Sequence, residues 1–171
     1  MHFVWNSSLN NTAAGFVAFG QTPNFAISSD AHYLADVKTD GSMRIHKNDG
    51  TGFGSNLATT SPPFSPVENE MYELIFEIEP LAGGARKLTL TIDDPSEGGL
   101  ISIIGVDNGV IGGPVLDGSY FGIRTRRNTQ GTLSASFDNF NLAVVVPEPS
   151  TGLLMIGVLG LALTGWRRRR G

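Results

Sequence analysis

The run MYELIFEIEP, Met71 to Pro80, alternates strictly between two sides. Tyr72, Leu74, Phe76 and Ile78 fall on one, and Glu73, Ile75, Glu77 and Glu79 on the other. That two-residue period belongs to a strand with one buried face. Pro80 closes the run because it has no N–H to donate to a ladder. LAGGAR then supplies a turn, and KLTLTIDD resumes with Leu88, Leu90 and Ile92 inward and Thr89 and Thr91 outward. The two runs predict an antiparallel hairpin. AGFVAFG, HYLADVKT, SMRIHK, LISIIGV and SYFGIRT predict further strands. Between the second and third of these, Asp40-Gly41 is a pair that favours positive φ in a tight hairpin.

The last such run, TLSASFDNFNLAVVV, changes phase. Leu133, Ala135 and Phe137 are apolar at odd positions, and Phe140, Leu142 and Val144 at even ones. One extra residue near Asp138-Asn139 would restore both sets to one face, which predicts a β-bulge. No stretch before residue 150 has convincing helical periodicity. About ten short strands without helices predict a two-sheet sandwich or a closed barrel.

YELIFEIEP, KLTLTID, LDGSYFGIRTRR and LSASFDNFNLAV resemble the closing half of concanavalin A/laminin-G-like jelly rolls, over roughly residues 67–145. The resemblance implies an all-β, antiparallel, two-sheet jelly-roll-like sandwich spanning residues 1–145. It leaves function open, since such folds host both lectins and glucanases.

Composition narrows the chemistry. Charged residues make up 16% of the chain and aliphatic plus aromatic residues 40%, which is enough for a core. The net charge of -4 hides an asymmetry: four of twelve basic residues are Arg167 to Arg170. The preceding sequence has eight Lys and Arg against sixteen Asp and Glu. No basic stripe is there to neutralise phosphates, so no nucleic-acid partner is expected. Without cysteine, disulfides, thiol nucleophiles and Cys-ligated zinc are excluded.

Candidate sites in the sandwich each meet a simpler account. Glu77 and Glu79 lie two apart on one strand face, with Cβ atoms roughly 6.5–7 Å apart. A retaining glycosidase wants its carboxyl groups about 5–5.5 Å apart, which long side chains can meet. Jelly-roll glucanases, however, use an acid-x-acid run with a central Asp; EIEP stops at proline, and Glu68, Glu70 and Glu73 of ENEMYE lack the Asp. The solvated face of a strand is the preferred account, with no catalytic residue and no enzyme. Asp40, Asn48 and Asp49 offer oxygens to a structural calcium ion, but their spacing is not that of an EF-hand loop. Turn chemistry explains them, so no metal ligand and no cofactor are expected. His2, His32 and His46 are too scattered for a zinc motif, and the latter two are expected at the surface or an edge. Trp5, Tyr33 and Tyr120 are the aromatics that would stack on a sugar if exposed, but core or interface packing explains each at least as well, and no binding site is named.

The chain then changes character at VPEPSTGLLMIGVLGLALTGWRRRRG. Ser150 to Trp166 is seventeen residues without a charge, apolar on all sides rather than striped, which excludes a core helix. A membrane helix needs about 17–25 such residues, so a single C-terminal hydrophobic helix within residues 146–171 is expected. Trp166 would sit at the interface, and the arginines would hold the C-terminus in the cytoplasm with the sandwich outside. Proline disfavours helix at itself and at the residue before, so Val145 to Pro149 reads as an extended linker.

Pro-Glu-Pro, Ser-Thr, a Gly/Leu-rich span and terminal arginines, in that order, resemble the PEP-CTERM sorting signal. The resemblance implies a Gram-negative bacterium that makes extracellular polysaccharide, and a transient partner, an exosortase, cleaving near the motif. It assigns recognition to Pro147, Glu148 and Pro149. It assigns a transient transmembrane anchor to Leu153, Leu154, Met155, Ile156, Gly157, Val158 and Leu159, continuing through Gly160, Leu161, Ala162, Leu163, Thr164, Gly165 and Trp166. Arg167, Arg168, Arg169 and Arg170 form the stop-transfer cluster. Proteins with this signal normally begin with a secretory signal peptide, whereas MHFVWNSSLNNTAAGF enters strand-like sequence directly. An upstream piece, with an opening strand, is therefore expected.

Three readings stand. One is a non-enzymatic exported protein delivered to the cell envelope or biofilm matrix. Another is a carbohydrate-binding module with an extracellular polysaccharide as partner, and the third a permanently anchored single-span membrane protein.

Overall fold

The computed structural model describes residues 1–5, 12–23, 30–51, 54–60, 65–94, 98–127 and 135–143. The chain divides into two units, Met1–Phe140 and Asn141–Gly171, and all the strands below belong to the first.

The alternating runs form ten strands: β1 His2–Trp5, β2 Thr12–Gly20, β3 Ala31–Lys38, β4 Met43–Asp49 and β5 Gly54–Thr59, then β6 Met71–Pro80, β7 Arg86–Asp94, β8 Gly99–Asp107, β9 Tyr120–Arg127 and β10 Ala135–Asp138. They make two five-stranded sheets, in the orders β10-β1-β6-β7-β8 and β5-β4-β3-β2-β9. Every pairing is antiparallel. The expected β6–β7 hairpin is present, with Leu74 opposite Ile92 and Ile78 opposite Leu88. Its turn closes through Leu81 N–H donating to Ala85 O, with Gly83 and Gly84 both at positive φ.

The core fills the space between the inner faces. Tyr72, Leu74, Leu88, Leu90 and Ile92 of the first sheet are fully buried, as are Ala35, Val37, Met43 and Ile45 of the second. Each buried large aliphatic chain contributes roughly 1.5–3 kcal/mol of transfer free energy. Phe3 stacks on Tyr72 with ring centroids 5.6 Å apart, which fixes β1 beside β6. Thr91 faces outward as its phase requires but is nearly buried, its hydroxyl bonded to that of Ser102 at 2.8 Å.

Three expectations are corrected. First, the β3–β4 hairpin has a three-residue loop: Gly41 alone takes positive φ, and Ser42 O accepts from Lys38 N–H. It is the longer loop with glycine in the left-handed position, not the two-residue turn. Second, β10 stops at Asp138 instead of bulging onward. Asn139 turns through φ 54°, its N–H donating to Asp138 Oδ1, and residues 139–143 form no strand. Third, alternation fails in β3, where residues 32–37 are all buried. His32, expected near the surface, is 1% exposed. A central strand is enclosed laterally by its neighbours, and here both of its faces are shut off from solvent as well.

The C-terminal hydrophobic helix lies outside the described residues. Among the described residues, no helix is long and apolar enough to cross a membrane.

Candidate functional site

Two residues that share the core's phase are both charged and buried. Lys47 follows Met43 and Ile45 on the inner face of β4, and Asp107 follows Ile103 and Gly105 on that of β8. Strand register brings them together across the two sheets. Lys47 Nζ lies 2.9 Å from Asp107 Oδ2 and 3.0 Å from Oδ1, and both side chains have no solvent exposure.

Tyr33 and the backbone of the following loop bind this pair. Tyr33, opposite Lys47 on β3, donates its hydroxyl proton to Asp107 Oδ2 at 2.5 Å. The same hydroxyl oxygen accepts from Leu116 N–H at 3.1 Å. Gly109 N–H donates to Asp107 Oδ1 at 2.9 Å, and Lys47 Nζ donates to Gly113 O. The network thus ties both sheets to the loop between β8 and β9. Burial pushes the Asp107 carboxyl up, but hydrogen bonds from Lys47, Tyr33 and Gly109 N–H together hold it below the usual carboxylate range. Burial and the Asp107 carboxylate push the Tyr33 phenol far upward, so it keeps its proton. Removing two charges from water costs several kcal/mol per ion, which only such full pairing offsets.

Arg86, directly opposite Asp107 in the β7–β8 ladder, sets its guanidinium over the Phe19 ring. Its Nη1 is buried without a hydrogen-bond partner among the described residues. Lys47, Asp107 and Arg86 were not singled out from sequence. Their signal was phase alone: each occupies an inward position in an otherwise apolar alternation.

A second polar row lies on the opposite face of the β5-β4-β3-β2-β9 sheet. Arg44 forks onto Asp36 through Nε and Nη2, with Asp36 only 2% exposed. Asp30 Oδ1 accepts from Gln21 N–H and Thr22 N–H at 3.0 Å each. His32 Nδ1 lies 2.9 Å from Asp30 O; since a carbonyl only accepts, this nitrogen carries the proton. Burial lowers the His32 pKa, so the ring is held neutral.

The sequence-derived candidates are not gathered into one place. Glu77 and Glu79 are exposed on the outer face of β6, Glu77 opposite Thr89 and Glu79 in an ion pair with Lys87. Glu70 accepts from Tyr72 OH at 3.4 Å, while Glu73 lies 4.0 Å from His2. Asp40 accepts from Ser42 N–H and Oγ, Asp49 from Thr51 N–H and Oγ1, and Asn48 Oδ1 from Gly50 N–H. These oxygens serve their own turns, and no metal-holding group of three His, Asp or Glu occurs among the described residues. Tyr33 is fully buried, in the core packing that was the alternative to sugar stacking. Tyr120 is exposed, and the Trp5 side chain lies outside what the structure describes.

Pro147, Glu148, Pro149, the span Leu153 to Trp166 and Arg167 to Arg170 also lie outside the described residues. Their identity rests on the order of residues along the chain. Residues 145–170 match the family model of the PEP-CTERM protein-sorting motif. PEP-CTERM signals are recognised by exosortase, and their presence marks an exported protein sorted at the membrane. No curated protein and no solved structure matches the chain, so the jelly-roll likeness rests on the two-sheet architecture alone.

Proposed function

We propose that the chain is a non-enzymatic structural protein of the bacterial envelope or extracellular matrix, released to that place when an exosortase processes its PEP-CTERM tail. The observation that carries this is the sorting motif over residues 145–170. In this reading Pro147, Glu148 and Pro149 are the recognised element. Leu153 to Trp166 is a transient membrane anchor, and Arg167 to Arg170 keep the C-terminus cytoplasmic. The absence of catalysis is supported by the glutamates themselves: Glu79 is neutralised by Lys87 on an open strand face, where no wall excludes water.

The test is mass spectrometry of the exported form, produced with an exosortase. The wild-type chain should lose Arg167 to Gly171, and Glu148→Ala should retain them. An intact tail on the wild-type exported form refutes processing and leaves a permanent anchor. Glycan-array binding by the wild-type sandwich would replace the structural role with a lectin's. Hydrolysis abolished by Glu77→Gln or Glu79→Gln would replace it with a glucanase's.

A further inference from the structure

Lys47 and Asp107 stand in contact distance inside the sandwich, one from each sheet, with both side chains at zero exposure. An amine and a carboxyl held this way, away from water, are the reactants of an amide. We propose that Lys47 and Asp107 condense to an intramolecular isopeptide bond that staples β4 of one sheet to β8 of the other.

The atoms balance without a co-reactant. Lys47 passes one ammonium proton to the carboxylate it already touches, which leaves a neutral amine beside a neutral acid. The hydrogen bonds that favour the carboxylate make this neutral pair a minor form, and it is from this form that the amine reacts. The Nζ lone pair then adds to Cγ. Oδ1 carries the developing negative charge and is met by Gly109 N–H, a backbone donor already in place at 2.9 Å. Oδ2 lies against the Tyr33 phenol, which stays protonated and donates to it as it leaves. A second proton from nitrogen completes the departing water, and the C–O bond to Oδ2 breaks. Gly113 O, which accepts from Lys47 Nζ, orients the amine before the step and can accept from the amide N–H after it. Holding the two groups in one orientation supplies an effective concentration that free reactants lack.

The product suits its setting. It replaces two buried charges with a neutral amide and closes a loop between positions 60 apart in sequence. The chain has no cysteine with which to make a disulfide. The proposal stands on the buried geometry and is read on precursor and processed protein alike, so it survives or fails separately from the fate of the tail.

The experiment is intact-mass measurement of the folded full chain after denaturation, followed by peptide mapping. The expected result is a mass lower than the encoded one by one water, with a branched peptide joining the Lys47 and Asp107 segments. Lys47→Arg and Asp107→Ala should each restore the encoded mass, and Tyr33→Phe should slow the loss of water. A wild-type chain, shown folded by circular dichroism, that keeps its full mass on long incubation overturns the proposal. So does water loss that maps to Asp40-Gly41 or Asp117-Gly118 as a cyclic imide.

Discussion

The guanidinium carbon of Arg86 lies 3.7 Å from the centroid of the Phe19 ring, joining β7 of one sheet to β2 of the other. Phe19 holds this position at φ 56°, where the β2–β9 register slips between Val17 and Gly20. A bulky residue in that region costs of order 1–3 kcal/mol, so its surroundings must hold it there. Edge-on contacts with Phe121 at 5.0 Å and Tyr33 at 6.0 Å do so together with Arg86.

Phe19→Leu should therefore destabilise the sandwich by about 1–3 kcal/mol. It keeps an apolar side chain but loses the cation–π contact and both aromatic pairs. Urea titration of the isolated variant measures the change. Phe19→Gly would relieve the backbone but empty the site, and should be the less stable of the two by the cavity it leaves.

Removing one partner of the Lys47–Asp107 pair leaves a buried group of the opposite charge, which costs about 3–5 kcal/mol. Lys47→Met and Asp107→Leu should each be more destabilised than the double variant that carries both, because the double leaves no orphan charge. The ordering holds whether or not the covalent bond forms, since all three variants lack it. A thermal-unfolding series with the double variant below either single would contradict the account.

How far these features are legible in sequence depends on whether their cause is local. The β6–β7 hairpin is readable because Tyr72, Leu74, Leu88, Leu90 and Ile92 recur every second residue among mostly polar neighbours on a half-solvated sheet. The sorting motif was readable because its parts are contiguous in the chain. In β3 the pattern points His32 to the surface, because no local pattern reveals that a strand is covered on both faces. Lys47 and Asp107 broke the apolar phase visibly, but their meaning required knowing that β4 and β8 face each other. The end of β10 at Asp138 was mistaken for a bulge because a left-handed turn and an inserted residue shift the phase alike.

The neutral His32 makes stability depend on pH in a defined direction. Burial lowers its folded-state pKa, helped by the Arg124 charge and opposed by Asp30. The unfolded ring binds its proton near the ordinary value of 6.5, so below that pH the unfolded state holds more protons than the folded one. The contribution is fully present above 6.5 and is lost as the pH falls from there through the depressed folded value. Denaturant midpoints should decline across that range for the wild type, and His32→Gln should flatten the decline. Asp40 and Asp49, whose pKa values Ser42 and Thr51 lower, act in a separate and more acidic window, below 3.8.

Gly15 is required by packing rather than by turn geometry. It lies between Asp36 on β3 and Arg124 on β9, and a Cβ there would come 2.0 Å from Ala35 O and 2.6 Å from Asp36 Cα. Both obstacles are backbone of the central strand and cannot rotate away. Gly15→Ala should cost about 3 kcal/mol or more, at the upper end of overpacking, by forcing β2 and β3 apart. Gly99 is the control, since a Cβ there meets nothing within 4 Å and its φ is not in the positive range. Gly99→Ala should change stability by no more than about 0.5 kcal/mol. Equal melting temperatures for the two variants would show that the β2–β3 approach is looser than its geometry requires.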